Sequence, residues 1–186
     1  MPSPQIRPLD LTDDATADAV HRIGRAAYAV EAEIIGFDGI PALRESLPEM
    51  RAQALRWVGA VSGGRELAGF LAWEEGPDGG VCIDRLCVAP AFFRRGVASL
   101  LLRHALAELF PGRPVHVTTG AANAPAVRLY EGLGFSRGAD FSPAPGLTMA
   151  SFSRPTAARP EGRRGRRATS SGGPARPRPA GPASRP

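Results

Sequence analysis

The chain has 186 residues, 43% of them hydrophobic, enough for one domain with a sizeable core but not for two comfortable ones. Its formal charge of +5 is uneven: residues 154–186 hold nine arginines against the single acid Glu161, a net +8, which leaves −3 on the remainder. The basic excess therefore belongs to a tail and says little about the surface of the folded part.

The longest apolar runs, VASLLL and AGFLAW, are far shorter than the ~20 residues a membrane helix needs, and MPSPQIRPLDLTDD has neither a basic start nor an apolar stretch. A cytoplasmic location and no membrane partner are expected. Cys82 and Cys87 lie five residues apart in one predicted strand, hence on opposite faces and unable to bridge. With no second cysteine pair, and with His21, His104 and His116 at no ligand spacing, no metal site is expected.

In chain order, QIRPL reads as a short edge strand limited by Pro8. LTDDATADAV opens a helix with Thr12 as cap, Asp13 and Asp14 in the first turn, and Val20, Ile23, Ala27 and Val30 along one face. A second helical stretch covers about 41–55. LRWVGAV, ELAGFLAW and VCIDRLCV follow as three strands joined by turns, an antiparallel meander. Pro90 stops the third, and an apolar helix begins near Arg95. VHVTT is a central strand, APAVRLYEGL a short helix ended by Gly134, and GFSRGA and LTMASF complete the sheet. The order β-α-α-β-β-β-α-β-α-β-β predicts a mixed α/β sheet, mostly antiparallel, with helices on both faces. Residues 1–153 form the domain; 154–186, crowded with Pro, Gly, Ser and Arg, form a disordered tail.

Chemistry concentrates at the third strand's exit. Strand, short turn, Arg94-Arg95-Gly96 and helix make an anion cradle: free N–H groups at the helix start point outward, the helix dipole favours negative charge, and glycine permits close approach. The Gly-Lys-Ser/Thr ending of a nucleotide-binding P-loop is absent, as is a three-glycine dinucleotide fingerprint. About thirty residues on, NAPAVRLYEGLGF supplies a second cluster.

Together, RLCVAPAFFRRGVASLLL and NAPAVRLYEGLGF resemble the acetyl-CoA-binding core of the GCN5-related N-acetyltransferase (GNAT) family, and the element order agrees with that fold over most of residues 5–153. The resemblance implies that backbone N–H groups of Arg95, Gly96, Val97, Ala98 and Ser99 hold the cofactor pyrophosphate, with Arg94 adding charge. Phe93 departs from the family pattern, which has Gln or Arg there. Asn123 matches the residue that contacts the cofactor arm, and also suits a helix N-cap before Pro125. Tyr130 matches the acid that protonates the leaving thiolate, a transfer that a phenol of pKa ~10 can make to a thiolate of the ~8.5 class at little cost. Val88 would offer its amide to the thioester carbonyl.

For the base that accepts the acceptor's proton, Asp84 and Glu33 are the candidates, with Glu31 ranked after Glu33. The implied activity is direct acetyl transfer from acetyl-CoA, as co-substrate, to a primary amine of a small molecule or protein, by a monomer or homodimer. Two rivals are a catalytically silent acyl-CoA sensor or scaffold and a nucleic-acid-associated protein acting through the tail; nucleic acid is expected as a partner only through that tail.

Overall fold

The computed structural model describes residues 4–76 and 79–155; nearly all of the expected tail lies outside these. Eight strands form one sheet: β1 (Gln5–Pro8), β2 (Arg56–Ser62), β3 (Glu66–Glu75), β4 (Val81–Val88), β5 (Val115–Gly120), β6 (Ser136–Arg137), β7 (Phe141–Ala144) and β8 (Leu147–Arg154). The spatial order is β1-β2-β3-β4-β5-β8-β6, with β7 also on β8. The expected meander β2-β3-β4 is antiparallel throughout, and only β4 and β5 run parallel. β7 was not expected from the sequence: Pro143 removes a donor, which an edge strand tolerates, and Gly146 at φ 81° makes the turn into β8.

Helix α1 (Asp14–Ile35) covers one face of the sheet with Ala17, Val20, Ile23 and Gly24 buried. Its N-cap is Asp13, not Thr12, with the carboxylate accepting from Thr16 N–H at 2.8 Å. Thr12 is occupied one step earlier, donating both its amide and its hydroxyl to Asp10. The helix ends where Gly36 takes φ 66° and its N–H reaches Ala32 O. The second helical stretch is shorter than expected: a 3₁₀ turn at Pro41–Leu43, then α2 (Leu47–Ala52) behind a Ser46/Glu49 capping box. Pro48 lacks an N–H and fits only a first turn, so it fixes where that helix starts.

On the opposite face, α3 (Val97–His104), widened into a π-turn over Ala105–Leu109, packs Leu101, Leu102 and Ala105 against Val58, Leu71, Trp73, Val81 and Ile83. Helix α4 (Ala124–Gly132) contributes Tyr130 to this same layer, where its ring meets Phe135 at 5.6 Å and Phe152 at 5.3 Å. The α1 layer holds Val20, Ile23, Met50, Trp57, Phe70, Ala72 and Cys87.

A bulge interrupts β4. Ala72 pairs with Arg85 but Trp73 pairs with Ile83, leaving Asp84 without a residue opposite it. The extra residue resets the alternation. Val81 and Ile83 face the α3 layer, so Cys82 turns to the α1 side, and beyond the bulge Cys87 does too. The expectation of opposite faces is thus corrected, while both cysteines are free.

The bulge also brings Arg85 into the α1 layer, 8% exposed. Its guanidinium bonds Glu45 through two nitrogens (2.6 and 2.9 Å), Gln53 (2.8 Å) and Asp84 (2.9 Å), and lies 5.7 Å from the Trp57 ring centre. Glu45 is itself only 11% exposed at its side chain, and its carbonyl oxygen is bonded by the His21 ring. One buried cation therefore ties the 36–46 connection and α2 to the middle of the sheet.

Removing one member of a buried ion pair strands the other, so Arg85→Ala is expected to cost about 3–5 kcal/mol, read as a fall in the urea midpoint. Arg85→Met combined with Glu45→Leu should recover much of that loss; equal stability of the single variant and the parent would contradict the arrangement. Burial pushes the Cys87 thiol up to about 12. Cys87 is buried and Cys82 partly exposed, so at pH 8 iodoacetamide should label Cys82 well before Cys87 by mass spectrometry.

Candidate active site

Strands β4 and β5 pair at three positions only, Val81↔Val115, Cys82↔His116 and Ile83↔Val117. Beyond Ile83 they part. β4 continues alongside β3 to Val88, and β5 continues alongside β8 to Gly120, so a gap opens between their C-terminal halves. In open α/β sheets such a crevice at the carboxyl ends of strands is where ligands sit.

The ladder shows which groups face the gap. Ala89 N–H bonds Ala68 O across β3, so the neighbouring pair Val88↔Gly69 is a non-bonded pair, and Val88 directs its N–H away from β3. Gly69 makes this close pairing possible: a Cβ there would lie 2.7 Å from Cys87 O.

At the β4 side of the gap stands the start of α3. A 3₁₀ turn, Pro90–Phe92, leads into Arg94 at φ 61° and Gly96 at φ 76°. Two left-handed residues in three turn the chain so that N–H groups converge. Those of Arg94, Gly96, Val97, Ala98 and Ser99 find no acceptor within the described residues, whereas Arg95 N–H is directed at Phe92 O at 3.4 Å. The Arg95 guanidinium lies 5.3 Å from the Phe92 ring centre, and the side chains of Arg94 and Arg95 are exposed beside these amides. A Cβ on Gly96 would meet nothing within 4 Å, so the space in front of this turn is open and its glycine is required by backbone angle alone.

At the β5 side stands the start of α4. Asn123 caps it, accepting from Ala126 N–H, and its side-chain amide donates to the Thr119 hydroxyl at 3.3 Å. That hydroxyl in turn donates to Glu31 at 3.2 Å. Gly120 ends β5 under the last turn of α1, where a Cβ would approach Ile35 Cγ2 to 2.7 Å. The C-terminal end of α1 thus closes over the gap.

Tyr130 is 4% exposed, and among the described residues its hydroxyl has no hydrogen-bond partner. Among the described residues only Arg51 Nε is both sealed from solvent and unpaired, so the Tyr130 oxygen reaches open space. Burial, then the charges of Glu31 and Cys87, hold this phenol well above the ordinary tyrosine range. Its ring belongs to the α3 layer while Glu31 and Cys87 belong to the α1 side, so the two faces of the sheet communicate through the gap. Tyr28 lies beside the Cys87 thiol, and burial followed by the Cys87 charge raises its own phenol.

The gap therefore gathers Val88, the amides of 96–99, Asn123 and Tyr130. Asp84 sits at the bulge where the strands begin to part, its carboxylate bonded to Arg85 and 41% exposed. Glu33 is not brought in: α1 runs unbroken past it, and two residues on a helix turn the side chain through about 200°, so Glu31 faces the sheet and Glu33 faces solvent. Sequence reasoning missed Tyr28, Thr119 and Arg85. Tyr28 stands three residues before Glu31 on one helix face, a spacing that could have found it; the others depend on the bulge and on long-range packing. Among the described residues no group of three or more His, Cys, Asp or Glu is placed to hold a metal, and no helix is long and apolar enough to cross a membrane.

Comparison with known proteins bears on the fold and the family. The Acetyltransferase (GNAT) family profile matches residues 19–135. UPF0157 protein YqkA of Bacillus subtilis is 36% identical over 126 residues, 68% of this chain; the chain spans only 36% of that relative's length. A Corynebacterium glutamicum structure described as histone acetyltransferase HPA2 and related acetyltransferase superposes with a TM-score of 0.69 at 17% identity, covering 86% of this chain and 99% of the other. The PaiA N-acetyltransferase of Thermoplasma acidophilum, solved in complex with coenzyme A, gives 0.61 at 15% identity over 81% and 98%. The fold, the gap and the family match agree, and the chain belongs to the GNAT acetyltransferase family.

Proposed function

We propose that the protein transfers an acetyl group from acetyl-CoA directly to a primary amine in a ternary complex. The observation that carries this reading is the gap between β4 and β5, with unpartnered amides on one side and the unpartnered Tyr130 hydroxyl on the other. Amides of Gly96, Val97, Ala98 and Ser99 would take the cofactor pyrophosphate, assisted by the charges of Arg94 and Arg95; the Arg95 amide, directed at Phe92 O, contributes less. The CoA-bound relative of like fold supports this cofactor. Asn123 would meet the cofactor arm from the cap of α4.

Val88 N–H, turned away from β3, would bond the thioester oxygen and stabilise the negative charge that grows on it as the amine attacks. Tyr130 would then give its proton to the departing thiolate. Its raised pKa keeps the phenol protonated at neutral pH, so the proton is present when the thiolate leaves, while it also makes the transfer costlier than from an ordinary tyrosine. Cys87 is held as a buried thiol, which favours direct attack over an acetyl-cysteine intermediate. Of the three candidate bases, Asp84 is ionically engaged by Arg85, Glu31 is half-buried and accepts from the Thr119 hydroxyl, and Glu33, exposed, is the poorest.

Calorimetry with acetyl-CoA and the full chain should show binding, and thiol release should follow with at least one member of a panel of amines. Gly96→Val, forced into a left-handed angle, is expected to raise Kd for acetyl-CoA about tenfold or more. Tyr130→Phe should lower kcat about a hundredfold with little change in KM. No binding would remove the cofactor site; unchanged turnover of Tyr130→Phe would remove the acid; binding without release from any amine would favour a CoA-binding sensor.

A further inference from the structure

A second concavity lies away from the gap. The β1–α1 connection and the segment joining α2 to β2 enclose a cleft of about 440 Å³, within the ~300–1,000 Å³ range of small-molecule sites. β3 stands between it and β4, and Arg56 on its rim pairs with Trp73, which is paired on β4 with Ile83, far along the strand from Val88. Leu9, Leu11 and Leu55, each half-buried, and buried Trp57 make its walls apolar. Arg51 and Arg56 bring two guanidiniums to the same lining against one carboxylate, Asp10.

The other polar groups here are already engaged. Asp10 accepts from the amide and hydroxyl of Thr12, nearby Asp13 accepts from the Thr16 amide, and Gln53 is bonded by Arg85 and bonds Glu45. The two arginines are not. Arg56 has only Glu75, 3.6 Å away, and Glu75 is also bonded by Arg113. Arg51 holds Asp14, 93% exposed, through Nη2 alone. Its Nε is the only side-chain polar atom among the described residues that is sealed from solvent with no partner. That guanidinium lacks what a carboxylate lying along its fork supplies, two parallel N–H···O bonds. An exposed pair such as Arg51–Asp14 contributes little, so Asp14 is readily exchanged for a ligand carboxylate that takes both nitrogens.

We propose that this cleft binds a small organic monocarboxylate with an apolar body, of arylalkanoate size, its carboxylate on Arg51 with Arg56 alongside and its body against the three leucines and Trp57. The site is separate from the acetyl-transfer gap and does not depend on that reading. A neutral amide of the same shape keeps the apolar contact and loses the ionic fork; an ammonium meets two like charges. Because Gln53 both lines the cleft and bonds Arg85, an occupant packs against the side chain that fastens β4 to α2, and binding stabilises the fold by linkage.

The test titrates the ¹⁵N-labelled full chain with 3-phenylpropionate, 3-phenylpropionamide and phenethylammonium and follows the backbone amides by NMR. The carboxylate should give saturable shifts at residues 9–12 and 51–57 with Kd below ~5 mM, at least ~tenfold tighter than either other probe. Arg51→Met, which keeps the apolar stem, and Arg56→Gln, on an exposed side chain, should each raise that Kd at least ~fivefold while the spectrum stays dispersed; Arg56→Gln carries the test if Arg51→Met fails to fold. Equal binding of the carboxylate and the amide, a weaker Kd, affinity unchanged in Arg56→Gln, or shifts confined to residues 94–99, where an anion would only be sampling the turn before α3, would each overturn the proposal. The titration contains no acetyl-CoA, so its outcome is independent of the acetyl-transfer reading.

Discussion

The constraint on which the rest of this molecule depends is that β4 and β5 share a ladder for only three residue pairs. A parallel pair buried between helices would ordinarily run on, because every unpaired backbone group in a dry interior carries a penalty. Here the second half of β4 is held from elsewhere. β3 pairs it along one edge, and Arg85, turned inward by the bulge at Asp84, fastens it to Glu45 and Gln53 in the segment that follows α1. Side-chain bonds to a neighbouring layer thus hold the strand where the ladder to β5 has ended, and the amide of Val88 is left facing an opening.

The charges follow the same division. On the β4 side, exposed arginines and helix-start amides make a positive surface suited to phosphates. Under the end of α1, carboxylates exceed cations.

Much of this was legible in the sequence because it is local. The meander, the helix after Pro90 and the caps of α3 and α4 are each written within a few residues, and so are the elements bordering the gap. What escaped was set by long-range geometry. The length of α1 decides which of two neighbouring glutamates faces the sheet, yet its stop at Gly36 competes with an apolar pattern that is weak near residue 30. The bulge at Asp84 is invisible in VCIDRLCV, since strict alternation assigns every side chain beyond it to the wrong face, Arg85 and Cys87 included. The Thr12 cap failed because Asp10 captures the threonine first.

The pairing of β5 has a kinetic meaning. Three of its residues pair with β4, but six pair with β8, a strand that begins 27 residues after β5 ends. The layer from β2 through α3 can assemble from near neighbours in the chain, so the phosphate-facing turn forms from contacts of short separation. The opposite wall cannot: β5 acquires most of its ladder, and the Tyr130 ring its Phe152 neighbour, only when β8 inserts between β5 and β6. Because loop closure over longer separations is slower, the β5 wall of the gap is expected to complete late in folding, and a chain that stalls before β8 docks would carry the turn at the start of α3 with no second wall facing it.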